Sequence, residues 1–428
     1  MDYRKLKVLC YADSANFPGL PGIFRGKGGL PMSAWQITTA KQRLGSEQVL
    51  LTRAFTKGGI IDDVRVLPVS PIHFLRPSGK NQYRRDRSHA RTIFPPELFS
   101  LGTRQLQSRL LARYFRMVIT REDPSVIHIH QPRRSNLPIL KAAMLSGYPV
   151  TVTLHGLGLA EKEWPGWKQS EKDRIFDKTL IEFLNSEGVD ITCVGGVIKN
   201  KILSFLDIKH PERIHSTRNG VNKDVFRFSG AGEAAKVRAQ MGIPRDARII
   251  TSVGTLDRRK NFEFLINAIS FLNQSTVTDI KCWIIGEGRL SGRLSNLIIR
   301  LGLKGKVFLM GEKPPHEIAR MLAASNLSVL ASHSEGLSRT VFESISVGTP
   351  VASFKDLFSE NLAKEAGSGL LLTDRGEGDP RDFAYFLLEI LQREWNRADV
   401  AKASEGYSWD DVGKDYLDIL SKVAEQAI

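Results

Sequence analysis

Two glutamates, Glu335 and Glu343, stand in the run Ser334-Glu-Gly-Leu-Ser-Arg-Thr-Val-Phe-Glu-Ser-Ile-Ser-Val-Gly-Thr-Pro-Val351. The apolar stretch Leu327–Ala331 precedes it, so the segment reads as strand, tight turn and a helix from Ser338 to Val347, closed by Gly348-Thr-Pro350. A helix start of this kind presents backbone N–H groups where an anion is favoured. Gly336 and the amides of Leu337 and Ser338 lie at that point. Glu335 falls on the loop, and Glu343 projects from the same side of the helix start. Amide donors suit a diphosphate, and the two carboxylates suit the hydroxyls of a ribose and of a sugar. Lys260 follows the apolar run Arg248–Val253 and opens the next helical pattern. A fixed positive charge there stabilises a diphosphate as it leaves, with Arg258 and Arg259 beside it.

A second group of residues falls in the first half of the chain. His155 ends the run Val150–His155, and Gly156 lets the backbone turn away behind it. Gly28 and Gly29, in Gly26-Lys-Gly-Gly29, permit close backbone approach to a phosphate or sugar. His128 and His130 are two apart on a strand and share a face, so with His155 they could hold a metal ion. No acidic ligand stands near them at a motif spacing, and no Asp-x-Asp, two aspartates with a single residue between them, occurs in the chain. The expectation is therefore no metal and no cofactor, with Lys, Arg and amides acting on the diphosphate. No Walker A run occurs, and Gly286-Glu-Gly288 lacks a third glycine at dinucleotide spacing.

These segments together resemble the retaining glycosyltransferases of family 4 (glycosyltransferase group 1). The likeness is carried by Gly26–Gly29, Val152-Thr-Leu-His-Gly156, Asn219-Gly-Val-Asn222 with Phe226, Val253-Gly-Thr-Leu-Asp-Arg-Arg-Lys-Asn261, Ile284-Ile-Gly-Glu-Gly288, the glutamate run and Tyr407-Ser-Trp409. The resemblance implies a GT-B fold, that is, two Rossmann-like α/β domains with doubly wound parallel sheets facing an interdomain cleft. It implies that Glu343 holds the donor ribose, that Glu335 and His155 lie at the transferred sugar, and that Lys260 acts on the diphosphate. The family commonly has Arg five residues before this lysine, where the present chain has Thr255; Arg258 or Arg259 can supply that charge.

The elements needed to position these residues are legible. Strands are expected at Leu6–Tyr11, Gln48–Thr52, Val64–Val69, Val126–His130, Val150–His155, Ile191–Val194 and Arg213–Thr217. Helical patterns lie between them at Met32–Leu44, Gly102–Thr120, Asn136–Ser146, Glu171–Asn185 and Val197–Leu206. The weakly patterned Lys223–Arg245 reads as a linker. A second alternating series then begins, with strands at Arg248–Val253, Lys281–Ile285, Val307–Met310, Leu327–Leu330 and Pro350–Ser353. Such alternation means βαβ units. The expected domains are 1–222 for the acceptor, 223–406 for the donor, and a helix in 407–428 crossing back to the first domain. Ser70–Ser100, rich in Pro and Arg, reads as an irregular insertion.

At 428 residues, 42% hydrophobic and 25% charged, the chain has material for two cores. Its net charge of +15 is uneven: residues 1–120 hold 20 Lys/Arg against 7 Asp/Glu. That balance suits an anionic membrane surface or a phosphorylated acceptor, and a solvated basic surface is the plainer alternative. The aromatics there lack nucleic-acid-binding spacing, so no nucleic acid partner is expected. Cys10, Cys193 and Cys282 are scattered in apolar runs and read as buried free thiols. No signal or spanning segment is apparent, which points to a cytoplasmic protein, peripheral on a membrane if the basic half binds one. The expected activity is transfer of a sugar, with retained configuration, from a nucleoside diphosphate sugar to a hydroxyl of a glycan or lipid-linked glycan, in cell-surface polysaccharide synthesis. The rivals are a nucleotide-sugar epimerase on the same fold and a catalytically silent binding protein.

Overall fold

The computed structural model describes residues 2–12, 29–52, 59–69, 103–133, 136–155, 171–244, 246–275, 279–333, 337–354, 369–373 and 378–426. The chain forms two compact units. The first comprises Met1–Val194, Ile198–Thr217 and Asp410–Ile428, and the second Gly195–Val197 and Arg218–Trp409. The long segment of the second unit starts at Arg218. The insertion Ser70–Ser100, Gly28, Glu335 and Gly336 lie outside the described residues.

Among its described residues the first unit has eight strands: β1 (Lys7–Ala12), β2 (Glu47–Thr52), β3 (Gly59–Ile61), β4 (Val64–Pro68), β5 (Val126–His130), β6 (Val150–Leu154), β7 (Val189–Val194) and β8 (Ile214–Thr217). They stand in the order β3-β4-β2-β1-β5-β6-β7-β8, parallel throughout except for the β3–β4 hairpin. Both faces of the central strands are buried, as a parallel sheet covered on both sides requires. Leu9, Tyr11, Ile127 and Ile129 pack with helices α2 (Thr103–Glu122) and α3 (Leu137–Met144) on one face. Val8, Cys10, Leu50 and Val126 pack with α1 (Gly29–Arg43) and the last helix (Trp409–Glu425) on the other. Gly413 permits that approach, since a Cβ there would lie 2.7 Å from Cβ of Ala40.

Among its described residues the second unit has six parallel strands: β9 (Arg248–Val253), β10 (Ile280–Ile285), β11 (Val307–Gly311), β12 (Leu327–Leu330), β13 (Val351–Phe354) and β14 (Leu370–Thr373). Their order is β11-β10-β9-β12-β13-β14. The direction of winding reverses between β9 and β12, and open α/β sheets bind ligands beyond the carboxyl ends of the strands at such a point. In the first unit the reversal lies between β1 and β5.

Four elements depart from the sequence reading. Lys223–Arg245 contains a helix, Ala231–Gln240, in which Ala, Glu, Lys and Arg supply propensity while among the described side chains only Val237 is buried. The helix is therefore invisible to apolar periodicity. The short helix Arg397–Lys402 and strand β14 were also not anticipated. Strand β3 turns into β4 through Asp62 and Asp63, both at positive φ (46° and 61°), a two-residue hairpin without the usual glycine.

Candidate functional site

In the second unit the loop after β9 is closed by three glycines. Gly254 N–H donates to the Ile285 carbonyl at 2.9 Å, and Leu256 N–H donates to that of Glu287 at 3.0 Å. A Cβ on Gly286, whose φ is +139°, would sit 2.0 Å from the Gly254 carbonyl oxygen, and one on Gly288 would sit 2.4 Å from that of Leu256. Two loop backbones therefore lie against each other where only glycine fits. The chain then makes a 3-10 turn, Arg258–Lys260, in which the Asp257 side chain accepts from the Lys260 N–H at 3.2 Å. Asn261 leaves it in the left-handed region (φ 53°) to begin the helix Phe262–Ser275. The result folds Lys260 inward: its side chain lies over Gly254, where a Cβ would be 2.8 Å from Cε. Lys260 is 9% exposed, whereas Arg258 is exposed and Arg259 half-buried.

On the other side of the winding reversal, β12 leads to a helix spanning Arg339–Ser346. Its N-cap, Ser338, is extended (φ −66°, ψ 122°) and makes no side-chain cap hydrogen bond, so its hydroxyl caps none of the first amides. Buried hydrogen bonds fix the helix. Ser344 donates to Ser328 Oγ of β12 at 2.9 Å, and Asn219 Nδ2 donates to the Leu337 carbonyl at 2.7 Å. Phe342 stacks on Tyr407 with ring centroids 4.4 Å apart. His333 N–H donates to the Arg259 carbonyl at 2.9 Å, tying the loop after β12 to the 3-10 turn after β9. Glu343 is half-buried, and burial raises its pKa above the ordinary carboxylate value while Arg339 and then Lys260 pull it back. Glu343, Arg339 and Lys260 thus share one electrostatic environment. Arg339 stands four residues before Glu343 on one helix face, a spacing legible in the sequence but not used there.

In the first unit His155 follows the carboxyl end of β6. Its backbone N–H donates to Gln131 Oε1 at 2.9 Å, and its Nε2 lies 3.1 Å from Nδ1 of His130. Gly29 opens α1. Beside the His130–His155 pair is a buried polar circuit centred on Lys41, which is wholly buried. Lys41 Nζ donates to His128 Nδ1 at 3.0 Å and to Cys10 Sγ at 3.3 Å. His128 Nε2 then donates to Thr153 Oγ1 (2.7 Å), which donates to Thr192 Oγ1 (2.6 Å). Along the other arm Cys10 donates to Gln48 Oε1 (3.3 Å), Gln48 Nε2 to Ser46 Oγ (2.6 Å), and Ser46 to the Lys41 carbonyl (2.9 Å). Burial lowers the Lys41 pKa and, with Lys41 and the neighbouring histidines, holds His128 well below the ordinary histidine value.

The metal grouping weighed from the sequence takes a different form here. The ligand-type atoms within 4.8 Å of one another belong to Cys10, His128 and His130, and the ammonium of Lys41 already meets two of them. Position 41 continues the stripe of Ala34, Ile37 and Thr38, which is the sequence signal that it faces inward.

Two family models match, one to each half of the chain. Residues 49–225 match Glycosyltransferase Family 4 and residues 233–406 match Glycosyl transferases group 1. The chain belongs to the group 1, family 4 glycosyltransferases. Relatives of this glycosyltransferase include the lipopolysaccharide core biosynthesis glycosyltransferase LpsE of Rhizobium meliloti, 29% identical over 39% of this chain and 46% of the relative. A D-inositol 3-phosphate glycosyltransferase of Thermobispora bispora is 29% identical over 57% of each chain. The matches span about half the length of these curated relatives. Among solved structures, Anabaena Alr3699/HepE in complex with UDP aligns over 97% of this chain and 100% of its own, with a TM-score of 0.68 and 16% identity. That likeness establishes the GT-B fold, with its two Rossmann-like parallel-sheet domains. Within the second unit of this glycosyltransferase, Glu343 of the helix Arg339–Ser346 feels the charges of Arg339 and Lys260, and Arg259 is tied to the loop after β12 through His333. The histidine group lies in the first unit. Among the described residues no helix is long and apolar enough to cross a membrane.

Proposed function

We propose that this glycosyltransferase moves a sugar, with retention of anomeric configuration, from a nucleoside diphosphate sugar to a hydroxyl of a glycan or lipid-linked glycan acceptor. The observation that carries the reading is the joint placement, at the winding reversal of the second unit, of buried Lys260, half-buried Glu343 and the start of the helix Arg339–Ser346. Amides at that start suit the diphosphate, and Lys260 offsets the charge that grows on it as the bond to the sugar breaks. Glu343 accepts from the ribose hydroxyls. Glu335 and His155 keep the role that family resemblance implies, at the transferred sugar. The leaving phosphate takes the acceptor proton on the face it departs from, so retention requires no protein nucleophile. Lys260, Arg258 or Arg259 and the helix amides serve in place of a metal ion.

The names of the relatives support the class of chemistry: HepE has been solved with UDP and with UDP-glucose, and LpsE is named for lipopolysaccharide core biosynthesis. A role in cell-surface polysaccharide synthesis is the corresponding proposal. The test begins with thermal stabilisation of the whole chain by a panel of UDP-, GDP- and ADP-sugars. Slow hydrolysis of the stabilising donor, followed by NMR of the released sugar, then reports its configuration. Stabilisation lost in Lys260→Ala and Glu343→Ala, with the released anomer matching the donor, is expected. Inverted product, or stabilisation indifferent to both substitutions, would overturn the assignment; conversion of the intact donor to its epimer without release would favour the epimerase.

A further inference from the structure

His130 is 2% exposed, and its two ring nitrogens are differently placed. Nδ1 lies 3.1 Å from Nε2 of His155, whereas Nε2 is buried and without a hydrogen-bond partner among the described residues. The contact holds one proton, and its donor can be assigned. If His155 Nε2–H were the donor, His130 would carry its own proton on Nε2, where no acceptor meets it. A doubly protonated His130 would expose the same orphaned N–H. If His130 Nδ1–H is the donor, the unpartnered Nε2 is only a lone pair. Orphaned buried N–H groups are rarer in folded proteins than acceptors short of a donor, and the second placement is the one adopted.

The surroundings hold His130 in that state. Its ring lies over that of His128, centroids 4.2 Å apart, and His128 is itself fixed by donation from Lys41 and to Thr153. Burial, then His155 and Lys41, keep His130 well below the ordinary histidine pKa. The next residue, Gln131, is at φ 48° and accepts the His155 backbone N–H, so adjacent residues grip both ring and main chain of His155. We propose that His130 is a positioning residue that holds His155 in the tautomer with its proton on Nδ1 and its Nε2 closed off, so that His155 meets the sugar as an N–H donor and not as a base. The last clause rests on the sugar-side reading of His155 given above; the tautomer does not.

The test uses the whole chain with ¹⁵N-labelled histidine and long-range ¹H–¹⁵N correlation, the His155 signals being identified by their loss in His155→Ala. Expected is a protonated Nδ1 and a bare Nε2 for His155. A protonated Nε2 would overturn the proposal. His130→Leu removes the donor and should let His155 sample both tautomers, with turnover falling about tenfold or more and donor KM little changed. His130→Asn keeps an amide N–H near the place of Nδ1 and should restore both the tautomer and most of the turnover. A folded Asn variant that behaves as the Leu variant does, or a Leu variant with an unchanged His155 spectrum, would refute the positioning role. The expected tautomer, with no kinetic effect in either variant, would uphold the positioning and refute the sugar role of His155.

Discussion

Gly254 and Gly286 face each other across the loop that carries Lys260, and alanine at each should fail in opposite ways. At Gly286 the added Cβ would lie 2.0 Å from a backbone oxygen, at a φ of +139°. Neither backbone can withdraw without breaking the Gly254–Ile285 hydrogen bond, so strain and overpacking together should cost about 3 kcal/mol or more. For a unit of this size that is a fall in Tm of roughly 10 °C. At Gly254 the clash is with a flexible side chain instead: Cε of Lys260 at 2.8 Å and Cδ at 3.0 Å. The lysine must retreat to the 3.4 Å at which ordinary contact begins. Stability should change by no more than about 1 kcal/mol. A displacement of about 0.6 Å of a charge that must meet a leaving diphosphate should lower turnover roughly tenfold. Thermal melts, calorimetry with nucleoside diphosphate and nucleotide release with donor would be measured on both variants. Gly254→Ala with unchanged turnover but a large loss of Tm would refute the placement of Lys260 over this glycine and the role built on it.

Further outcomes follow from the same geometry. Burial raises the Glu343 pKa, so the free protein should gain stability as pH falls through that value, while nucleoside diphosphate affinity, which needs the carboxylate, is lost over the same interval. Calorimetry across mildly acidic pH should show this, and Glu343→Gln should abolish both trends. The lowered Lys41 pKa has the other sign: stability should rise as pH climbs from that value toward the ordinary lysine range. Denaturant titrations of Lys41→Met should lack that rise, and Lys41→Ala should cost about 3 kcal/mol or more. Activity should persist in excess chelator; loss restored by a divalent ion would revive Cys10, His128 and His130 as ligands. The outward face of α2 presents Arg109, Arg113, Arg116 and Arg121, all exposed, so sedimentation with anionic vesicles should occur at low salt and weaken as salt rises. Absence of binding at low salt would leave these arginines a solvated surface.

What the sequence disclosed depended on whether pattern or partnership carries the feature. Strands β1, β5, β9 and β12 and the helix after β12 are apolar runs bounded by turn residues, and their positions were legible to within a residue or two. Lys260 and Glu343 were legible because each lies just beyond such a boundary. Helix Ala231–Gln240 and strand β3 were not, because one rests on propensity with almost no buried face and the other on two aspartates turning without glycine. The gripping of His155 by His130 and Gln131 was also hidden. His130 and His155 were weighed together as a metal grouping, but nothing in their spacing of 25 residues shows that one ring nitrogen of each meets the other. Lys41 entered the sequence reading only in the charge count of residues 1–120, although its place in an apolar stripe pointed inward.

The circuit around Lys41 has a consequence for how the first unit reaches a single structure. Its members come from β1, α1, β2, β5, β6 and β7, and Tyr416 of the last helix closes over them, 5.4 Å from the His128 ring and hydrogen-bonded to Thr217 of β8. Burial alone discriminates weakly against slipping in strands that are covered on both faces. A one-residue slip of β5 would turn His128 to the opposite face, leaving the lysine without its acceptor in a place water does not reach. A one-residue misalignment of β5 therefore strands a buried polar group, which the observed pairing of His128 with Thr151 avoids. The circuit thus acts as a combination lock on strand register, set by residues spread from Cys10 to Tyr416.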